Sequence, residues 1–284
     1  MILQHAVRPR GPYSLAQTAR RAGDATRTFR DGALTCVLPD GVVAGAAQLP
    51  DGTVVLRAET EEGLERLRWI LALDDDHTEF LRRFARDPLV GEATRRYRGL
   101  RQIRVATVAQ ALLRAFCGQL IESGRARALE ARIVRATTPP LPGTRLHAPP
   151  TGADLCRLSA AGLRAHGLHA RRAAALLRLC EALDLERLHA HPTPVVVERI
   201  ARERGLGPWS AGVLCLEGLG RPEHGLVGDL GLVKLLRALR GRPVEGWETE
   251  ELLAPYAEWA GLASVYLLLA FADGLLPVAR RAAA

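Results

Sequence analysis

The chain is almost without lysine. Lys234 is the only one among 39 cationic residues, so the other 38 are arginine. Aromatic residues make up only 5%, and there is one methionine. The five cysteines, Cys36, Cys117, Cys156, Cys180 and Cys215, never come within four residues of one another. That spacing excludes a CxxC knuckle and the close-set ligands of an iron–sulfur cluster. An odd number points to reduced thiols, and the apolar neighbours of Cys117, Cys180 and Cys215 mark them as core filler. The longest apolar run, Val265 to Ala272, falls far short of the roughly 20 residues of a membrane span. No basic stretch followed by an apolar one opens the chain, so no signal peptide and no membrane partner are expected. HExxH, GxSxG and GxxxxGK patterns are all missing, which removes the commonest metallopeptidase, hydrolase and phosphate-loop chemistries. Asp74-Asp75-Asp76-His77 resembles a metal cluster only superficially, because contiguous carboxylates before a helix are usually solvated or capping.

What is present is an ordinary globular balance: 284 residues, 48% apolar and 25% charged, enough for one large domain or two modest ones. The net charge is +8 and the isoelectric point about 9.9. An arginine excess suits oxyanion contacts, since the guanidinium fork binds phosphate at two points. A GC-rich genome would give the same excess.

Two regions separate by hydrophobic period. Residues 27–58 read as strands interrupted by Pro39-Asp40-Gly41 and Pro50-Asp51-Gly52, each a tight-turn signal. Three or four antiparallel strands and an amphipathic helix over about 60–72 are predicted. From about residue 77 helical spacing takes over, as in Leu232, Leu235, Leu236 and Leu239. The expected fold class is α+β: a strand-rich domain over residues 1–100, then an all-helical domain over 101–284. The proline-rich stretch 137–151 is expected to link two lobes of the helical part.

Two segments carry chemistry. In Glu203-Arg204-Gly205-Leu206-Gly207-Pro208-Trp209-Ser210-Ala211-Gly212, a helix over about 194–203 ends at Gly205 and Pro208 opens the next. The result is either an ordinary helical turn or a hairpin whose bare amides favour a phosphate. Downstream, Val227-Gly228-Asp229-Leu230-Gly231-Leu232 places Asp229 before an apolar helix, either as an N-cap or as a carboxylate at the mouth of a cleft.

The order of segments narrows these choices. GLGPWSA followed by VGDLGL resembles the helix-hairpin-helix DNA glycosylase superfamily, in particular its AlkA type (3-methyladenine DNA glycosylase II). Arg114-Ala115-Phe116-Cys117-Gly118-Gln119-Leu120-Ile121 resembles another segment of that family. The helix pair from Ala160 to Leu176 and the opening Gly11-Pro12-Tyr13-Ser14-Leu15 do so as well.

The resemblance implies a monofunctional glycosylase of base excision repair acting on double-stranded DNA that contains damaged bases. The expected base is an alkylated purine. Asp229 falls on the catalytic aspartate, Gly205 and Gly207 on the backbone-gripping hairpin, and Leu120 beside Gln119 on the residue wedged into the duplex. Carbonyls of Ala201, Glu203 and Leu206 correspond to a site for Na+ or K+; no other cofactor is expected. The family's lyase lysine corresponds here to Trp209, and Lys234 lies farther along the helix after Asp229. Trp209, Val213, Leu262 and Tyr266 are the expected substrate-pocket residues. Val213 and Leu262 replace aromatic side chains, and Arg20 or Arg21 falls near a further aromatic position, where it would repel a cationic base. Deaminated or oxidised bases, or a non-catalytic lesion sensor, therefore remain alternatives. A monomer in the cytoplasm, associated with the nucleoid, completes the expectation.

Overall fold

The computed structural model describes residues 2–276, so the last eight residues of the second expected domain lie outside it. Five antiparallel strands, β1 (Leu3–Val7), β2 (Arg27–Arg30), β3 (Ala33–Val37), β4 (Val43–Gln48) and β5 (Val54–Ala58), form one sheet in the order β1-β5-β4-β3-β2. The two Pro-Asp-Gly turns join β3 to β4 and β4 to β5. Gly41 (φ 81°) and Gly52 (φ 89°) supply the left-handed residue each turn needs. Burial alternates: Leu34, Cys36, Ala44, Ala46, Val54 and Leu56 face inward. The sequence pattern missed β1. Its three central residues are exposed, and pairing with β5, from Leu3–Ala58 to Val7–Val54, makes it a strand.

Fourteen α-helices are described: α1 (Leu15–Ala19), α2 (Glu61–Ile70), α3 (Thr78–Arg83), α4 (Gly91–Arg96), α5 (Val108–Gly118), α6 (Ser123–Thr137) and α7 (Gly152–Cys156). The rest are α8 (Ala160–Ala165), α9 (Ala170–Ala182), α10 (Thr193–Ala201), α11 (Pro208–Val213), α12 (Leu230–Arg240), α13 (Thr249–Leu253) and α14 (Ala260–Ala272). Helix α2 lays Leu64, Leu67 and Ile70 on the sheet, with Thr60 capping its first turn. A second cluster joins α5 to α10, and a third joins α3 and α4 to α12–α14.

The burial clusters divide the chain differently from the expected boundaries. Residues 80–100, placed in the first domain, pack with the C-terminal helices through Phe80, Phe84, Val90 and Ala93. The stretch 137–151 joins α6 to α7, and both helices contribute to the same cluster through Ile133, Val134 and Leu155. It is therefore an excursion within one cluster and not a link between lobes, tied down by His147 N–H to the Ala25 carbonyl (2.9 Å) and by the Thr107 hydroxyl to the Pro150 carbonyl (2.7 Å). By length and composition Gly246–Ala272 is apolar enough to cross a membrane, which the single-run count did not show. Here it is a series of short helices broken at Ala257 (φ 47°) and half-buried against its neighbours.

Several arginines are structural. Arg114, in the middle of α5, donates to the carboxylates of Asp24 (2.9 Å), Glu130 (2.9 Å) and Glu217. Arg27 pairs with Asp24 and donates to the Arg104 carbonyl (2.6 Å). Arg104 meets Asp75 at 2.6 Å and lies over the Trp69 ring. In the acidic run, Asp75 thus pairs with Arg104, Asp74 with Arg68, and Asp76 caps Thr78, so its roles are ionic and capping.

Two stability predictions follow from these buried groups. Replacing Arg114 by Met takes from Glu130, 3% exposed, its cationic partner and leaves Asp24, 8% exposed, with Arg27 alone, and should lower the unfolding free energy by about 3–5 kcal/mol in urea. Adding Glu130→Gln should recover part of that loss. His77, beside Trp259 and facing Arg101 and Arg104, is held down to about 3 chiefly by burial. Its folded value lies below the ordinary 6.5, so the unfolded chain takes up the proton first. Stability is full above pH 6.5 and should fall by about 1.4 kcal/mol per unit as pH drops towards 3. The slope should flatten in His77→Gln, measured by urea unfolding across that range.

Candidate active site

Helix α10 ends at Ala201, and the chain reverses through Glu203–Leu206 before Pro208 opens α11. Gly205 sits at φ 90°, where only glycine is at ease. Gly207 is extended and needs no glycine for its backbone. No atom lies within 4 Å of a Cβ built on either residue, so both leave the hairpin surface bare. Leu206, 5% exposed, anchors the turn in the central cluster.

The C-terminal end of α5 meets this hairpin. Gln119 Nε2 donates to the Gly205 carbonyl (2.6 Å) and to Ser210 Oγ (3.2 Å). A Cβ on Gly118 would lie 2.5 Å from the Trp209 ring, so the indole rests directly on that glycine. Leu120 then projects outward, 82% exposed, with φ at 58°. An apolar side chain held in the left-handed region and pointed at solvent carries a cost of order 1–3 kcal/mol that core packing does not repay.

Asp229 closes the arrangement. It caps α12, its Oδ1 accepting from Gly231 N–H (2.8 Å) and Leu232 N–H (3.3 Å). Its Oδ2 accepts from Trp209 Nε1 (2.9 Å). The aspartate is thus an N-cap whose second oxygen meets the hairpin helix. The loop before it is fixed by Gly228 N–H to Thr249 Oγ1 (2.7 Å) and Leu226 N–H to the buried Ser264 hydroxyl (3.1 Å). Neither Thr249 nor Ser264 was singled out in the sequence; no spacing signal links them to Asp229.

Trp209, Asp229, Gln119, Leu120 and the hairpin glycines thus converge. The other expected pocket residues do not. Val213, Leu262 and Tyr266 are 4%, 1% and 0% exposed and belong to the C-terminal core; the Tyr266 hydroxyl donates to the Tyr97 carbonyl (3.0 Å). Arg21 is paired with Asp273 at the end of α14 (3.0 Å), so its charge is compensated, and Arg20 is exposed. Ala201 ends α10, and Glu203 and Leu206 lie in the hairpin turn. The Glu203 carbonyl accepts Leu206 N–H (3.1 Å), while the Glu203 carboxylate turns to Arg178. The expected donor set is thus neutral backbone oxygen, which suits a hard monovalent ion. Lys234 is exposed on α12. A cavity of about 440 Å³ between α9 and α10, lined by Leu183, Leu188, Val195 and Arg199, touches none of these residues.

The chain is similar in fold and in sequence to several DNA glycosylases. A 3-methyladenine DNA glycosylase from Archaeoglobus fulgidus superposes with a TM-score of 0.81 over 94% of this chain and 97% of its own, at 20% identity. The likeness is one of overall fold. An 8-oxoguanine glycosylase/lyase from Clostridium acetobutylicum, solved with duplex DNA, gives 0.79 at 18% identity over 96% of this chain and 98% of its own. In sequence, the chain is 25% identical to a DNA-3-methyladenine glycosylase of Bacillus subtilis (strain 168) over 229 residues, 77% of this chain and 75% of that protein. No family model matches the chain.

The contact between Gly118 and Trp209 is directly testable. Gly118→Ala should cost about 1–3 kcal/mol in urea unfolding, because the new methyl must displace the indole. In a Trp209→Ala background the same change should be nearly neutral. A cost that persists there would mean that the ring does not set the constraint.

Proposed function

We propose that this protein is a monofunctional DNA glycosylase that hydrolyses the N-glycosidic bond of a damaged purine, foremost an alkylated one, in double-stranded DNA. One observation carries the reading: Trp209 Nε1 lies 2.9 Å from Asp229. The partner of the carboxylate is an indole N–H, whose nitrogen lone pair belongs to the ring. It orients Asp229 but offers no nucleophilic amine for a Schiff base, which a glycosylase that also cuts the strand requires. The 3-methyladenine glycosylases among the similar proteins support the alkylated purine.

In this reading Leu120 enters the stack where the target nucleotide turns out of the duplex, since the bond is out of reach inside it. The bare hairpin at Gly205 and Gly207 takes the phosphates. The carbonyls of Ala201, Glu203 and Leu206 would hold Na+ or K+, which would add positive charge towards the same backbone. Asp229 stabilises the positive charge that grows on the sugar as the bond breaks and orients the attacking water. Burial of Val213, Leu262 and Tyr266 favours, as a second reading, a neutral deaminated or oxidised base, because few π-faces remain open to a cationic one.

Base release is to be measured from duplexes carrying single methylated, deaminated or oxidised purines. The native protein should free a base, whereas Asp229→Asn should bind as well but release it at least about a hundredfold more slowly. Borohydride should trap no covalent adduct between protein and DNA; a trapped adduct would refute the monofunctional mechanism. Native protein that frees no base from any duplex leaves only the DNA-binding function.

A further inference from the structure

Among the described residues, Trp247 is the one exposed aromatic in the set of large apolar side chains left open to solvent, at 65%. Its position ties it to the site. Gly246, its neighbour, packs on the loop before Asp229: a Cβ there would lie 3.4 Å from the Cα of Gly228. A continuous line of contacts therefore runs from Leu120 through Gly118, Trp209, Asp229 and Gly228 to Gly246 and Trp247. Leu230, 40% exposed, stands on the same line next to Asp229.

The turn that bears Trp247 is rigid. Glu248 accepts from Arg240, from Arg242 (2.6 Å) and from the Glu245 N–H (2.7 Å). The Arg242 side chain and the Glu245 amide draw its carboxyl down to about 2. Thr249 Oγ1 donates to the Gly246 carbonyl (2.7 Å) while accepting from Gly228 N–H (2.7 Å). An indole left mostly open to solvent, on a turn fixed by this many bonds, is preorganised for a ligand outside the chain. Tyr266 offers no such surface because it is buried, and one face of Trp209 is taken up by Gly118.

Resting on the glycosylase reading above, we propose that Trp247 is a base-stacking residue whose indole takes a face of the damaged base once it has left the duplex. A base that turns out gives up its stacking in the helix, and an aromatic face restores part of it whatever the base. A cationic base would gain further from the ring.

The test uses the full chain in the Asp229→Asn background, so that the base stays attached. Binding is compared on two duplexes that differ at one nucleotide: the lesion that the native protein releases best among ethenoadenine, methylated guanine and hypoxanthine, or a tetrahydrofuran abasic analogue with no base. Trp247→Ala should weaken binding to the lesion duplex by about fivefold to about a hundredfold and leave the abasic duplex unchanged. Trp247→Phe should restore most of the loss. Equal losses on both duplexes, or none on either, overturn the assignment. Unfolding curves of the two variants, which change an exposed side chain, check that the fold is intact. Failure of the glycosylase reading shows separately, as native protein that frees none of the three bases; the stacking role then falls with it.

Discussion

The Arg114 guanidinium, half-buried against three carboxylates from three parts of the chain, is the constraint on which the site depends. Asp24 leads into the sheet, Glu130 lies on α6, and Glu217 follows α11. Each anion would be costly to bury alone, and so would the cation. Together they fix the rotation of α5 relative to its surroundings. One turn farther on, α5 delivers Gly118, Gln119 and Leu120. A helix free to rotate would carry the glycine from under Trp209 and the glutamine away from the hairpin.

The site has no pocket of its own chain order. Three separated stretches, 118–120, 205–210 and 228–230, are brought together by short polar contacts over glycines. Glycine works in two ways here. Gly205 provides a backbone turn that other residues resist, whereas Gly118 provides room for a ring. The indole of Trp209 then couples the hairpin to the carboxylate at the start of α12. In the proposed chemistry, phosphate grip and bond cleavage share one rigid unit.

Arginine has a second use here. Besides an excess that suits anion contacts, Arg27, Arg101, Arg104 and Arg114 are structural. Arg101 is 1% exposed and donates to the carbonyls of Leu100, Arg10 and Asp75, holding together strands of chain far apart in sequence. Guanidinium groups serve this purpose better than ammonium because their donors fan out in a plane and reach several acceptors.

The sequence by itself determined the local features: the two Pro-Asp-Gly turns, α2 with its capping threonine, the break at Gly205, Pro208 at the head of α11, and Asp229 as a cap. Each depends on φ limits, side-chain period or a hydrogen bond within a few residues, all encoded in neighbouring positions. The meeting of Leu120, Trp209 and Asp229 was legible only through the order of segments that resembles the glycosylase family. Tertiary structure decided the rest. It made a strand of Leu3–Val7 by offering β5 as a partner, sent Val213, Leu262 and Tyr266 into the core, placed 80–100 with the C-terminal helices, and left Trp247 in the open. Those outcomes depend on which apolar faces cover which. Burial is a non-directional, long-range effect, shared among segments more than a hundred residues apart, and no local pattern records it.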